Sequence, residues 1–306
     1  MVRIPPVVPR KSPVAPLLRV FAPLAAAASA FLFFAESASA NWYSPETGGS
    51  PNADDIHSLY MILLWVGLVV FVLVEGLLLW TLWKYRASRG HEAKQVHGNT
   101  ALELGWTGGA IVLVLILAAV SLLKLGDIRN PPNSDASGFP TTIVAKDHRS
   151  GNNQKLPPNH KALHIKVEGF QYGWRFTYVD NDPSSPDVYA YHDLVAPTNT
   201  TVMLEISADD VIHSWWAPKL GGKFDAVPGF QNWTWFKIPG DQAGTTFTGQ
   251  CAELCGRNHA NMTLAVHALK PAAFGLWLEA KRKELQQAKV LGAAQRAVVN
   301  SGGTLK

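Results

Sequence analysis

Both cysteines of this 306-residue chain fall within one short stretch, QCAELCGRNHANM, at positions 250 to 262. Three residues separate Cys251 from Cys255, three more separate Cys255 from His259, and Met262 follows after two. A further histidine, His213, sits upstream in DVIHSWWAP. Thiolate, imidazole and thioether are the donors that favour copper held for electron transfer, and one thiolate among them would describe a mononuclear blue-copper site. The second thiolate needs its own account. A Cys251–Cys255 disulfide is permitted outside the cytosol, but it closes a very small ring and leaves His213, His259 and Met262 without a role. Zinc bound by two cysteines and two histidines leaves Met262 idle. Two coppers bridged by both sulfurs use every donor: each metal takes two thiolates and one imidazole. Met262 then serves one as a weak axial ligand, and a backbone carbonyl, that of Glu253, serves the other.

Such a site needs a stiff frame. The runs ALHIKVEGF, WRFTYV, TVMLEIS, VIHSWWAP, TWFKI, TTFTGQ and MTLAVHAL are short, rich in β-branched or aromatic residues, and separated by Gly, Pro, Asp and Asn. About seven strands at this spacing predict a sandwich or small barrel over residues 161–270. Past Pro271 the pattern turns helical and mixes apolar with basic residues, so 271–306 reads as a surface helix with a frayed end. Ahead of the strands, NPPNSDASGFP and DHRSGNNQKLPPNH make 131–160 a linker unsuited to packing by itself.

The first third is far more apolar. Arg3, Arg10, Lys11 and Arg19 precede VFAPLAAAASAFLFF and then ESASA, the pattern of an export signal cleaved after Ala40. Two runs follow within 41–130, at about 58–83 and 104–124, each long enough to cross ~30 Å of hydrocarbon as a helix. The loop between them carries Lys84, Arg86, Arg89 and Lys94, whereas residues 41–56 carry no Lys or Arg. That asymmetry puts the loop in the cytoplasm and the strand domain on the exoplasmic side, the periplasm of a bacterial inner membrane. The formal charge of +4 falls to +1 without residues 1–40. No basic stripe interleaved with aromatics occurs, which excludes nucleic acid as a partner. No Cys-x-x-Cys-His occurs either, so no haem is attached covalently to this chain.

Taken together, CAELCGRNHANM, DVIHSWWAP and the two-helix anchor resemble subunit II of the haem–copper cytochrome c oxidases across the mature length. The resemblance implies a membrane-anchored all-β protein: a transmembrane helical hairpin, a cupredoxin-like β-sandwich or barrel and a C-terminal helix. It implies a dinuclear CuA centre held by His213, Cys251, Cys255, His259 and Met262, with Glu253 giving its carbonyl oxygen. The Glu253 side chain becomes a candidate ligand for magnesium shared with subunit I. The stretch NTALELGWT resembles the start of the second membrane helix, where Glu103 would feed protons toward subunit I; a carboxylate that merely terminates the helix is the plainer reading. Glu75 lies deeper in the first span; the resemblance assigns it no role, and a buried contact between the helices is the plainer reading. Where the family usually has Gly-His-Gln-Trp-Tyr-Trp, GFQYGW places Tyr172 at the point where electrons would enter, with Trp174 matching the second Trp. Trp215 and Trp216 would shield the metal.

The implied function is to accept electrons from cytochrome c and pass them to haem in subunit I, where oxygen is reduced and protons are pumped, in company with other oxidase subunits. No catalytic acid, base or nucleophile is expected in this chain. Between Asp127 and Lys270 there are fourteen acidic and twelve basic residues. Asp180, Asp182, Asp187, Asp209 and Asp210 are the candidate docking patch for a basic donor, since opposed potentials speed encounter. Two alternatives belong to other classes. A quinol oxidase subunit II shares the architecture without copper and has no use for both cysteines. A membrane-anchored periplasmic copper carrier or assembly protein needs an exchangeable site and does not explain two spans. Nitrous oxide reductase has a similar copper loop without this anchor.

Overall fold

The computed structural model describes residues 43–90, 95–141, 154–179 and 188–300, with the side chains of 294 and 297–300 excepted. The export signal, Lys94, Asp180, Asp182 and Asp187 lie outside the described residues.

Two long helices come first: α1, Pro51–Lys84, and α2, Thr100–Arg129. Both overrun the apolar stretches that identify them, because Pro51 at the first turn and the cap residue Asn99 set their starts. Asn99 Oδ1 accepts from Leu102 N at 3.1 Å, and the Glu103 carboxylate accepts from Asn99 N at 3.1 Å. The two helices touch along one face, where Met61 and Leu64 of α1 and Leu113, Leu117 and Val120 of α2 are half-buried at helical spacing. Lys124 Nζ reaches Asp55 at 3.4 Å near the sandwich end of the hairpin.

Among the described residues the strand domain has ten strands: β1 Leu163–Phe170, β2 Gly173–Tyr178, β3 Val188–Tyr191, β4 Asp193–Pro197, β5 Thr201–Ala208, β6 His213–Trp216, β7 Phe224–Ala226, β8 Asn232–Lys237, β9 Thr246–Cys251 and β10 Thr263–Leu269. They form two five-stranded sheets, ordered β3-β2-β1-β5-β8 and β4-β10-β9-β6-β7. Seven runs were predicted, and β3, β4 and β7 are the additions. Each of the three sits at a sheet edge and is short, and β4 is buried at four consecutive positions rather than alternating, so period two does not mark it. The alternation in β1 is clear: Leu163, Ile165 and Val167 point into the core with Trp174, Phe176, Leu204, Ile206, Trp215 and Phe236 from both sheets.

The described parts of the linker, 131–141 and 154–160, do not hang free. Thr201 donates its N–H to Ser134 Oγ at 3.0 Å and its hydroxyl to Pro132 O at 2.6 Å, and Phe139 packs edge-on against Phe274 at 4.9 Å. Pro132, Asn133, Ser134, Asp135 and Phe139 each bond to the rim of a sheet, which Pro and Gly content alone does not reveal. Phe274 belongs to α3, Pro271–Asn300, and is fully buried. The C-terminal helix is therefore docked at its start and exposed further along, at Val290 and Leu291.

Candidate metal centre

Five of the six donors come from one loop. β9 ends at Cys251, the chain turns through Gly256, and a helical turn at His259–Asn261 returns it to Met262 and β10. The loop is closed at its base, where Cys251 N donates to Met262 O at 2.8 Å. It is also tied sideways, with Ala252 N donating to Ser214 O at 2.9 Å. The sixth donor, His213, opens the neighbouring strand β6, whose Trp215 pairs with Cys251. Adjacent strands thus bring together residues 38 positions apart.

The sulfurs of Cys251 and Cys255 stand 3.9 Å apart, well beyond the ~2.0 Å of a disulfide, and both are free thiols. Each faces its own imidazole: Cys251 Sγ lies 3.9 Å from His213 Nδ1, and Cys255 Sγ lies 3.6 Å from His259 Nδ1. Met262 Sδ is 3.7 Å from Cys255 Sγ, and the carbonyl oxygen of Glu253 accepts from Cys251 Sγ at 3.2 Å. The donor atoms of His213, Cys251 and Cys255 all fall within 4.8 Å of one another. Burial comes first in pushing the Cys255 thiol up to about 11, with the neighbouring Cys251 adding to it. A metal taking these sulfurs as thiolates must therefore displace protons.

His213 is fully buried, and its ring has a tight socket. A Cβ on Gly169 would lie 3.0 Å from the His213 ring, so only glycine fits beneath it. Trp174 meets the same ring edge-on at 6.0 Å. On its far side His213 Nε2 donates to Asp210 Oδ1 at 2.8 Å, because a carboxylate can only accept. Burial alone would raise the Asp210 carboxyl. The hydrogen bonds from His213 and from the amides of Gln171 and Val211 outweigh it and hold Asp210 below the ordinary carboxylate range.

The other predicted residues divide sharply. Trp174 is fully buried, so its indole cannot touch a docked protein, while Tyr172 is half-buried beside the cysteine loop with its ring against Gly256. Gly256 has φ +130, and a Cβ there would meet the Tyr172 hydroxyl at 2.6 Å. Trp215 is buried beside Cys251, and Trp216 carries Lys223 over its ring at 4.7 Å. Asp209 is exposed, 3.9 Å from Arg175. Asp210 is exposed as well, while its two oxygens accept from Gln171 N, Val211 N and His213 Nε2. The Glu253 side chain is exposed, and Glu103 serves as the reciprocal cap of α2. Glu75 is half-buried in α1. Gln171 was not singled out in the sequence, yet its side chain donates to Cys255 O at 2.6 Å; 84 positions separate the two, and no local pattern marks the contact.

A two-sheet sandwich with thiol, imidazole and thioether donors gathered in one loop, carried on an apolar helical hairpin, defines a membrane-anchored cupredoxin-like protein. Residues 187–269 match the family described as cytochrome C oxidase subunit II, periplasmic domain, and residues 38–125 match its transmembrane domain. A cytochrome c oxidase subunit 2 of Alkalihalophilus pseudofirmus is 34% identical over 78% of this chain and 61% of its own length. A probable subunit 2 of Rickettsia prowazekii is 30% identical over 76% of this chain and 70% of its own. Among solved structures, the periplasmic domain of subunit II of cytochrome oxidase from Bradyrhizobium japonicum aligns with TM-score 0.36 and 31% identity, covering 40% of this chain and 94% of that one. The chain belongs to the cytochrome c oxidase subunit II family. Membership makes it a membrane-anchored part of a haem–copper oxidase and implies a copper centre. The residues present fit that group: two buried, unbonded sulfurs, each near an imidazole nitrogen, with His213 buried and His259 half-buried.

Proposed function

We propose that His213, Cys251, Cys255, His259 and Met262, with the carbonyl oxygen of Glu253, hold a dinuclear copper centre that takes electrons from a soluble cytochrome c and passes them to haem in subunit I. The observation that carries this reading is the pairing of two sulfurs 3.9 Å apart with two separate imidazoles. When bound, the copper centre would supply one-electron redox chemistry. The chain's own residues hold the donors still, through the closed base of the loop and the β6–β9 pairing, and they exclude water by burying Trp215, Met262 and both cysteines. Sulfurs this buried are poorly placed for handing metal to another protein, which disfavours the copper-carrier alternative.

On the same reading, residues 1–40 are removed on export and the sandwich faces the periplasm from the bacterial inner membrane. Tyr172 is the aromatic ring nearest an incoming donor. Asp209 and Asp210, with Asp180, Asp182 and Asp187, supply negative charge toward a basic cytochrome. The exposed Glu253 side chain reaches for magnesium at the subunit I interface, and Glu103 takes up protons at the cytoplasmic end. The test is copper reconstitution of the purified full chain in detergent. Two coppers per chain and an electron paramagnetic resonance spectrum split by two equivalent nuclei support the reading. One copper, or a Cys251–Cys255 disulfide in the metal-replete protein, overturns it.

A further inference from the structure

The turn joining β1 to β2 reaches both halves of the metal centre. On one side, the Gln171 backbone N–H donates to Asp210 Oδ2 at 2.7 Å, and Asp210 Oδ1 accepts from His213 Nε2 at 2.8 Å. On the other, the Gln171 side chain donates to Cys255 O at 2.6 Å. Three peptide segments distant in sequence are thereby fastened at one residue: the β1–β2 turn, the start of β6 and the cysteine loop.

We infer that Asp210 and Gln171 form a single positioning device, in which Asp210 fixes the tautomer and angle of His213 while Gln171 sets the cysteine loop at a fixed distance from it. The inference rests on the copper reading of the previous subsection and names residues outside the ligand set. With Nε2 protonated and bound to a carboxylate, the lone pair of His213 is confined to Nδ1, the atom facing Cys251 Sγ. Asp210 is well anchored for this role, because Gln171 N and Val211 N, each at 2.7 Å, hold its two oxygens and leave the side chain no rotamer to choose. Gly169 closes the third side by letting the β1 backbone lie against the His213 ring. Gln171 then links this clamped imidazole to the loop carrying the second sulfur. Loosening either contact lets the two thiol–imidazole pairs drift relative to each other without removing a ligand.

The experiment compares full-chain wild type with Asp210→Ala, Asp210→Asn and Gln171→Ala in two arms. In the metal-free arm, nitrogen-15 shifts of His213 report the tautomer. The expected result is Nε2–H in wild type and a mixed population in Asp210→Ala; a fixed Nε2–H tautomer in Asp210→Ala overturns the inference, and this arm stands even if wild type fails to bind a copper pair. In the copper arm, loss of metal to a chelator is expected to rise by roughly 10–100-fold in Asp210→Ala. Asp210→Asn, which keeps one acceptor, should fall between it and wild type. Gln171→Ala should make the two copper couplings unequal while both metals remain. Retention and spectra identical to wild type in all three variants overturn the inference and leave the copper reading intact. Near-ultraviolet circular dichroism of the metal-free variants identifies any that fail to fold, and the conservative Asn variant keeps the comparison usable in that case.

Discussion

In the hairpin, Trp65, Val69, Leu79 and Leu123 each expose more than half of their surface, while in the sandwich Trp174, Trp215, Phe176 and Phe236 expose almost none. The hairpin is apolar all round and closes only one seam on itself; the sandwich buries its apolar residues against one another. A helix hydrophobic on every side belongs in lipid or against other helices, so the hairpin's apolar faces are set by its surroundings and the sandwich's by its own packing. What holds the two together is polar. Asn52 Nδ2 donates to Trp235 O at 2.8 Å, Lys237 N donates to Ser50 Oγ at 3.1 Å, and Trp235 Nε1 donates to Ile128 O at 3.1 Å. Both ends of the hairpin are thus pinned to the edge strand β8, far along the sheet order from β3. The electron transfer proposed for this loop asks for a fixed frame, and the self-packed half provides it.

The comparison is broken most completely at the sulfurs. Cys251→Ser removes one bridge from an otherwise intact sandwich, and the expected outcome is complete loss of the shared-electron copper spectrum with the near-ultraviolet dichroism of the β-domain preserved. A spectrum unchanged from wild type would mean that Cys251 does not bridge. Next in size is the junction. Trp235 is buried and shared between sheet and hairpin, so Trp235→Ala should cost about 3–5 kcal/mol. Thermal unfolding of the full chain in detergent measures this, and proteolysis near residue 130 should accelerate in the variant.

Smaller still is a contact wholly inside the sandwich. The Tyr178 hydroxyl donates to Val195 O at 2.7 Å and accepts from Val195 N at 2.8 Å, joining β2 of one sheet to β4 of the other. Burial pushes this phenol up, with the backbone hydrogen bond pulling the other way. Tyr178→Phe leaves a buried N–H and C=O unpaired and should lower stability by about 1–3 kcal/mol in the same unfolding experiment. The copper spectrum should stay as in wild type, because Tyr178 packs against Phe274 and Trp277 of α3 rather than against the loop.

How far the residues announce this structure differs between the two halves. The spans are written in composition, so Ser58–Trp83 and Leu104–Leu123 mark the helices even without neighbours; their added turns come from Pro51 and Asn99, which are capping signals rather than apolar ones. The ligand loop is equally legible, because five donors lie within twelve residues and their types restrict the metal. What stays hidden depends on contacts between distant segments. Nothing in GFQYGW says that Gln171 will meet Cys255, and nothing in the acidic pair Asp209–Asp210, both exposed, says that the second also holds His213. Edge strands fail for a related reason: β7 is three residues long and is defined by its partner β6 more than by its own pattern.

Glu103 supplies the last and finest test, since its cap and its proposed proton role make opposite demands on one carboxyl group. As a cap, the group needs only an acceptor for Asn99 N, and glutamine supplies one. Proton uptake needs a group that can gain and lose a proton, and glutamine cannot. Glu103→Gln should therefore leave the stability of the full chain within a few tenths of a kcal/mol, whereas Glu103→Ala should cost about 0.5–1 kcal/mol through the frayed first turn of α2. In the assembled oxidase, a several-fold fall in turnover with Glu103→Gln assigns the carboxyl to proton uptake. Turnover equal to wild type with Glu103→Gln, alongside a loss of stability only in Glu103→Ala, reduces Glu103 to a helix cap and moves proton uptake elsewhere in the complex.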